Sequence, residues 1–523
     1  MNQSRPIIGL LIAMLGMGYV LLSLLLSTGN QLGSLFGYLL AGAILLGICN
    51  PKTGVVVLLV ACGYIDLAKR LLVVADKVSY TDLAFVLGIA PALMAGVTMG
   101  VFLQLIQGRL RFGKTQLQAL GAIVIILILS LITARKAAGG IMAALQEVAN
   151  TAGYACFLFV IPLLYSNLED QVKLIRTVLM AYLPIPIYGI YQAAFGLAEY
   201  EIEYLKTGMS ILIKQLLTGD IRPFSTLNSP TALGAVCGIM ALLAFLSGPL
   251  TGPRRKLPHP LHLLLALFYI GGLLASTSRS DFFIPILGAI VAFTALSPMA
   301  IRLFYLIATT SYIGLIMISG WLQERLADIQ IFISTLLPPE FDFVEQLTRV
   351  QTFSDRLEGF RNLASNPQVW SFFGVTEEVS ESIYSHDPLT QSLLAYGVIP
   401  VVIVILVCVG LLSRVHAGIL LIRDRRERWM AALALGTTAG VIATSMLSGS
   451  RTSIFPITVF IWLMLGIVWA RIVAPKSVET QMNNNHKAPL LYPLVNRSDR
   501  FDRPHPMRRF QKGHSSEFAM NHP

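Results

Sequence analysis

A chain of 523 residues that is 55% hydrophobic and 13% charged, with a mean hydropathy of +0.69, is excluded from the water-soluble globular class and reads as a polytopic membrane protein. Its formal charge of +11 at pH 7 comes from 39 Lys and Arg against 28 Asp and Glu, so where the basic residues fall matters more than their number. A membrane helix needs about 20 apolar residues, whereas barrel strands alternate over about 10. Runs of the first kind recur from Pro6 to Arg471, and the expected class is all-α.

In chain order the apolar runs fall near residues 6–27, 34–49, 53–68, 80–107, 116–133, 148–166, 172–196, 228–247, 260–276, 282–297, 302–320, 388–413, 429–447 and 452–471. That gives about 12–14 transmembrane helices, the count turning on the second and third runs. The first run has no small-residue cleavage site after a short apolar core, so it reads as a retained span. The chain then divides into four parts: membrane helices over 1–320, a large extracytoplasmic loop or lid over 321–386, further helices over 387–474, and a disordered basic cytoplasmic tail over 475–523.

Lys and Arg in short loops stay on the cytoplasmic side. Three clusters agree: Arg109, Arg111 and Lys114; Arg254, Arg255 and Lys256; and Arg423, Arg425, Arg426 and Arg428. With these inside, both termini are cytoplasmic. Lys69, Arg70 and Lys77, and also Arg135 and Lys136, dissent by falling outside. The five cysteines, Cys49, Cys62, Cys156, Cys237 and Cys408, lie in or at the ends of apolar runs and read as small core residues. The tail, with Asn483-Asn484-Asn485 and Arg508-Arg509, is too polar to pack. Its basic balance suits an anionic inner leaflet, and no nucleic-acid partner is expected.

On this topology several cations collect on the outer face, against the positive-inside trend. Arg222 lies in Asp220-Ile221-Arg222-Pro223-Phe224-Ser225-Thr226-Leu227-Asn228-Ser229-Pro230, which opens the eighth span. Arg279 lies in Ser276-Thr277-Ser278-Arg279-Ser280, a short turn between the ninth and tenth spans, and Arg451 in Ser448-Gly449-Ser450-Arg451-Thr452-Ser453 before the last span. Arg356 and His386 belong to the long loop. An arginine at a helix centre costs about 2.5–3.5 kcal/mol on the insertion scale, and less towards the interface. Any one of these could be an interfacial residue whose head snorkels to water. Together, flanked by Ser, Thr and Gly, they suit an anionic headgroup, because the guanidinium fork grips phosphate oxygens two at a time.

Four fragments occur in order: Arg222-Pro223-Phe224-Ser225-Thr226-Leu227-Asn228-Ser229-Pro230; Thr277-Ser278-Arg279; Asp355-Arg356-Leu357 followed by Asn366-Pro367 and Gly374-Val375; and His386-Asp387 through Leu393-Leu394 to Gly397-Val398. In that order and spacing they resemble the O-antigen ligase and O-antigen polymerase family, from about Arg222 to Arg471. The family's members are membrane glycosyltransferases that take a glycan from an undecaprenyl diphosphate carrier outside the bacterial inner membrane. The chain departs from the family in having Asp387-Pro388 where His is usually followed by Asn, and Gly374-Val375-Thr376 in place of Gly-x-Gly. Relatives described as bicarbonate transporters share the pattern, so resemblance alone does not establish catalysis.

Transfer from a polyprenyl diphosphate breaks the bond between sugar C1 and phosphate, so negative charge builds on the leaving group. Arg222 and Arg279, with Arg356 or Arg451, could offset that charge without a metal. No Asp-x-Asp occurs, and Glu340-Phe341-Asp342 is the one outer Glu-x-Asp; a metal-independent reaction with no cofactor is expected. His386 is either the general base towards an acceptor hydroxyl or a residue that caps the next helix or binds sugar. Asp387 could orient its ring, and Asp281, just after the Arg279 turn, is the second candidate base. Inversion at the anomeric carbon is what the resemblance implies. Glu377, Glu378 and Glu381 read as a solvated helix face, and the aromatic density around Trp370, Phe372 and Phe373 suggests a structured lid.

The expected partners are therefore an undecaprenyl-diphosphate-linked glycan donor, a glycan or lipid-linked acceptor and membrane lipids, with the protein in the bacterial inner membrane. The reading from another class is a transporter or flippase for the same anionic substrate. Such coupling usually puts ionisable residues at mid-membrane, and the runs 228–247, 260–276 and 282–297 carry none away from their ends, where His262 and Asp281 lie. Ligase and polymerase use the same donor; with no visible lipopolysaccharide-partner motif, O-antigen or exopolysaccharide polymerisation is preferred.

Overall fold

The computed structural model describes residues 31–75, 80–110, 112–137, 141–208, 222–250, 260–336, 360–372, 375, 383, 388–448, 452 and 454–486. Among them there is no strand, so every regular backbone hydrogen bond is made within a helix. That is the condition for burying backbone in lipid.

The first helices are α1 (Gln31–Cys49), α2 (Pro51–Cys62), α3 (Ile65–Val74), α4 (Tyr80–Leu87), α5 (Ile89–Ile106) and α6 (Lys114–Ala137). Next come α7 (Ile141–Asn150), α8 (Phe157–Leu164), α9 (Leu168–Ala181), α10 (Pro184–Phe195) and α11 (Glu199–Lys206). The second half contains α12 (Pro230–Leu246), α13 (Pro260–Ala275), α14 (Phe283–Thr294), α15 (Pro298–Leu336), α16 (Pro388–Tyr396), α17 (Val398–Leu420), α18 (Arg425–Ser448) and α19 (Ile457–His486). Contacts divide the chain into two units, Met1–Ser477, which holds the helical bundle, and Val478–Pro523, which takes in the last residues of α19.

Local chemistry sets several helix starts. Asn50 and Ser229 each cap a helix whose first residue is proline: the Asn50 side chain accepts the Thr53 N–H at 3.3 Å and Ser229 Oγ accepts that of Ala232 at 3.1 Å. Asp424 does the same before α18, accepting the Glu427 N–H at 2.8 Å.

Among the described residues, five helical stretches are long and apolar enough to cross a membrane: Ile89–Ile106, Lys114–Leu131, Leu168–Phe195 (α9 and α10 taken together), Pro298–Ser319 and Arg425–Leu447. The pair Ala144–Asn150 and Ala152–Leu164, bent by 47°, passes the same test together, and shorter apolar helices include Pro230–Leu246 and Pro260–Ala275. On α13 the residues facing inward, Leu265, Ala266, Tyr269 and Leu273, are buried. Its outward Leu264, Leu267 and Leu274 are 50%, 57% and 58% exposed. An apolar outer surface of this extent is stable against hydrocarbon and not against water, which makes the chain a helical membrane protein.

The core is centred on α12, which is buried along almost its whole length. Two crossings bring backbones together. Gly96 and Gly100 of α5 face Ile44, Gly47 and Ile48 of α1, and Gly436 and Gly440 of α18 face Ile284 and Gly288 of α14. Each is a small-xxx-small pair at the point of contact.

The expected runs correspond to helices throughout the described part, with differences in detail. The run 53–68 breaks at Gly63 and Tyr64 into α2 and α3, and the run 148–166 is bent at a 3-10 turn over Ala152–Cys156. The run 172–196 divides where Leu183 precedes Pro184 and Pro186, because proline cannot donate the next helical hydrogen bond. Helix α15 continues past residue 320 to Leu336, so the first part of the expected loop is helical. Its sequence there, Leu322-Gln323-Glu324-Arg325-Leu326-Ala327, consists of good helix formers. The first apolar run, 6–27, lies outside the described residues.

Polar groups gather at the two ends of the bundle. Helix α12 starts beside the 276–281 turn and ends at Leu246, whose carbonyl accepts the Trp429 indole N–H at 2.9 Å. At that second end Lys52 pairs with Asp170 at 2.9 Å, Arg426 with Glu169 at 2.9 Å, and Arg471 with Glu427 at 3.2 Å. The Arg423–Arg428 cluster belongs to this end, and Arg222 and Arg279 to the other.

Candidate functional site: an arginine-bearing end of the bundle

The segment 222–229 is irregular, yet its Phe224, Ser225, Thr226 and Leu227 are all buried. Its backbone polar groups must therefore be satisfied by other elements. Gln192 of α10 meets two of them: its side-chain oxygen accepts the Phe224 N–H at 3.1 Å and the Ser225 N–H at 2.6 Å. The Ser225 hydroxyl donates to the Ile185 carbonyl at 2.6 Å, and the Thr226 hydroxyl to that of Gly63 at 2.7 Å. The second link ties the segment to the break between α2 and α3.

Arg222 stands at the head of this segment and reaches the 276–279 turn. Its Nε donates to Thr277 Oγ1 at 2.6 Å and one terminal nitrogen to the Ser276 carbonyl at 3.3 Å. The turn follows the last residue of α13 and leads into a 3-10 turn over Arg279–Phe282. Ser276 Oγ donates to the Leu273 carbonyl at 2.7 Å and accepts the Ser278 N–H at 3.2 Å, which fixes the turn from inside. Two sequence-expected residues 57 positions apart, Arg222 and Arg279, thus share one local structure.

Backbone strain marks the same place. Among the described residues, the non-glycine residues with positive φ are Ser225, at 54°, and Thr277, at 53°. Thr277 is β-branched, for which the left-handed region is a true outlier. Each sits within three residues of one of the two arginines. Strain of this kind persists only where neighbouring contacts over-determine it, and it clusters at functional sites.

Arg279 is half-buried within the turn, and Asp281 is fully buried. A β-carbon at Gly234 would lie 2.5 Å from Asp281 Oδ2 and 2.8 Å from Ser276 Oγ, so α12 closes directly over the underside of the turn. Of the other expected residues, His386, Asp387, Arg356 and Arg451 lie outside the described residues. Close to them, Asn366 caps the 3-10 turn Pro367–Trp370, accepting the Gln368 N–H at 3.0 Å, and the Val375 N–H donates to the Leu394 carbonyl at 2.9 Å. The Asn366-Pro367 and Leu393-Leu394 fragments are therefore parts of one folded patch, with Phe360, Leu363, Val369, Leu393 and Leu394 buried together.

Sequence reasoning missed the support behind Arg222. In the sequence Arg70 stands out only as a charge on the unexpected side. It is 2% exposed and pairs with the fully buried Glu201 at 3.1 Å; a second nitrogen donates to the Ser225 carbonyl at 2.5 Å. Its guanidinium also lies over the Phe224 ring, 4.7 Å from the centroid. Burial pushes the Arg70 pKa below its ordinary value, and the Glu201 carboxylate draws it back up. Neighbouring Lys69 pairs with Asp66 at 3.4 Å. Two of the five dissenting cations, Lys69 and Arg70, are thus matched by carboxylates, and a signal existed in the acidic run Glu199-Tyr200-Glu201-Ile202-Glu203 at the same end.

Among the described residues, no group of three or more His, Cys, Asp or Glu side chains is arranged to hold a metal ion. No protein-family model, curated protein or solved structure matches this chain.

Proposed function

We propose that the chain is a membrane glycosyltransferase that polymerises or ligates undecaprenyl-diphosphate-linked oligosaccharides in O-antigen or exopolysaccharide biosynthesis. In this reading it lies in the bacterial inner membrane with 12–14 spans, both termini cytoplasmic, and residues 321–386 forming an extracytoplasmic lid. The observation that carries it is the bonding of Arg222 to the turn that bears Arg279. Two arginines from distant segments come to one strained, polar end of the bundle, a placement that suits a diphosphate at the membrane surface.

The acceptor hydroxyl oxygen attacks the anomeric carbon from the face opposite the diphosphate. The C1–O bond to phosphate breaks as the new glycosidic bond forms, so the configuration inverts and undecaprenyl diphosphate leaves with the bonding pair. Arg222 and Arg279 stabilise the charge growing on that leaving group, assisted by Arg356 and Arg451. The hydroxyl proton passes to His386, which Asp387 orients. Asp281 supports the turn from beneath, since its carboxylate is enclosed against α12.

The test is glycan transfer by the purified protein in nanodiscs, with an undecaprenyl-diphosphate oligosaccharide and EDTA. The reading expects chain growth or transfer in wild type that survives EDTA, with Arg279→Ala and His386→Ala losing about 100-fold or more. Saturable binding of the carrier, or its movement across liposomes, without transfer to any acceptor would replace the enzyme by a flippase.

A further inference from the structure

The buried Arg70–Glu201 pair joins residues 131 positions apart and takes no part in the chemistry above. Removing two charges from water is expensive, and a well-packed apolar pair often serves stability as well or better, so stability alone is a weak reason for it. Its connections suggest another. Glu201 Oε1 accepts from Arg70 and, at 2.6 Å, from the Gln192 amide nitrogen, while Oε2 accepts the Ala198 N–H at 3.0 Å. With its nitrogen committed to Glu201, the Gln192 amide can present only its oxygen to the Phe224 and Ser225 N–H groups. Arg70 takes the Ser225 carbonyl. Both polar backbone groups of Ser225 are thereby held by one network, and its φ of 54° is maintained by them.

We propose that Arg70, Glu201 and Gln192 are positioning residues: they clamp Ser225 in left-handed backbone and so aim Arg222 at the Thr277 turn. The lever is short, because Pro223 follows Arg222 and has a fixed φ, leaving little slack between the clamp and the Arg222 backbone. The inference rests on the reading of Arg222 as a ligand of the donor diphosphate. It adds that the anion site is preorganised from below by a network that never touches the substrate. An error of about 1 Å in such a group can cost on the order of 100-fold in rate.

The test uses the full chain in nanodiscs with Gln192→Leu, Arg70→Lys and each of these combined with Ser225→Gly. Glycine enters the left-handed region without the clamp. Lys52→Ala, at the opposite end, serves as the control. Hydrogen exchange needs no substrate: both single variants should speed exchange in 222–229 far more than in the rest of the bundle, and the unpaired buried groups they leave should also lower the melting temperature. With the undecaprenyl-diphosphate oligosaccharide, both should lower kcat/KM by about 10- to 100-fold. Ser225→Gly should restore most of that loss, and Lys52→Ala should be neutral. Unchanged exchange in 222–229, exchange rising evenly through the bundle, or no recovery with Ser225→Gly would overturn the positioning role. Absence of transfer in wild type would instead defeat the functional reading, with exchange still deciding whether the clamp exists.

Discussion

Left-handed backbone at a threonine costs about 1–3 kcal/mol, and at Thr277 that cost accompanies the bond its hydroxyl offers to Arg222. The two effects separate by substitution. Thr277→Gly should raise stability by about 1 kcal/mol, because glycine takes this conformation freely, and should reduce glycan transfer at least tenfold through loss of the hydroxyl. Thr277→Ser keeps the hydroxyl and should retain most of the activity. Melting curves and transfer rates on the same preparations check both; a Thr277→Gly variant that transfers normally would show that Arg222 does not depend on this contact. Arg222 and Arg279 were legible as candidates because, on the topology expected from the loop charges, they fall on the outer side against a strong trend. Their meeting through Thr277 was not, because sequence carries no signal for a left-handed threonine.

Helix packing in lipid gains little from the hydrophobic effect, so close backbone approach carries more of the load. At the α14–α18 crossing, a β-carbon on Gly436 would collide with the Gly288 carbonyl, which is backbone and cannot turn aside. Gly436→Val should therefore destabilise by about 1–3 kcal/mol or more, seen as a lower melting temperature in detergent and poor yield. Gly314→Ala, on the lipid-facing stretch of α15 with nothing within 4 Å, should be neutral or stabilise by about 0.5–1 kcal/mol. Equal behaviour of the two variants would mean that the crossing is not tight. The helices themselves were largely readable from the chain, since a bilayer demands long apolar runs and α12, α13 and α18 supply them. The break at Gly63 and Tyr64 was not, because a hydropathy run does not register a change of helix direction. Nor was the continuation of α15 to Leu336, where helix propensity persists after the apolar run has ended.

Across the molecule, the polar groups of the described residues gather at two ends of the bundle, and the proposed orientation puts the Arg222 end outside. Asn228 is exposed in the segment that Arg222 opens, and Cys49, expected from the sequence to be a core residue, is instead exposed beside Lys52 at the other end. In sealed right-side-out vesicles an impermeant thiol reagent should label an Asn228→Cys variant and leave Cys49 unlabelled, each carried as the one cysteine of its chain. The opposite pattern would invert the topology and take the site away from the periplasmic donor. The division between ends was partly visible in the loop arginines. The Arg70–Glu201 match that accounts for one of the dissenting charges required tertiary contact across 131 residues. The measurement closest to the centre of the account is a double-mutant cycle on glycan transfer in EDTA, comparing wild type, Arg222→Ala, Arg279→Ala and the double variant. If both guanidinium groups act on one diphosphate in one transition state, each single variant should lose about 100-fold or more and the double variant little beyond that, far less than the product of the two. Losses that simply multiply, or single variants that transfer at the wild-type rate, would contradict it.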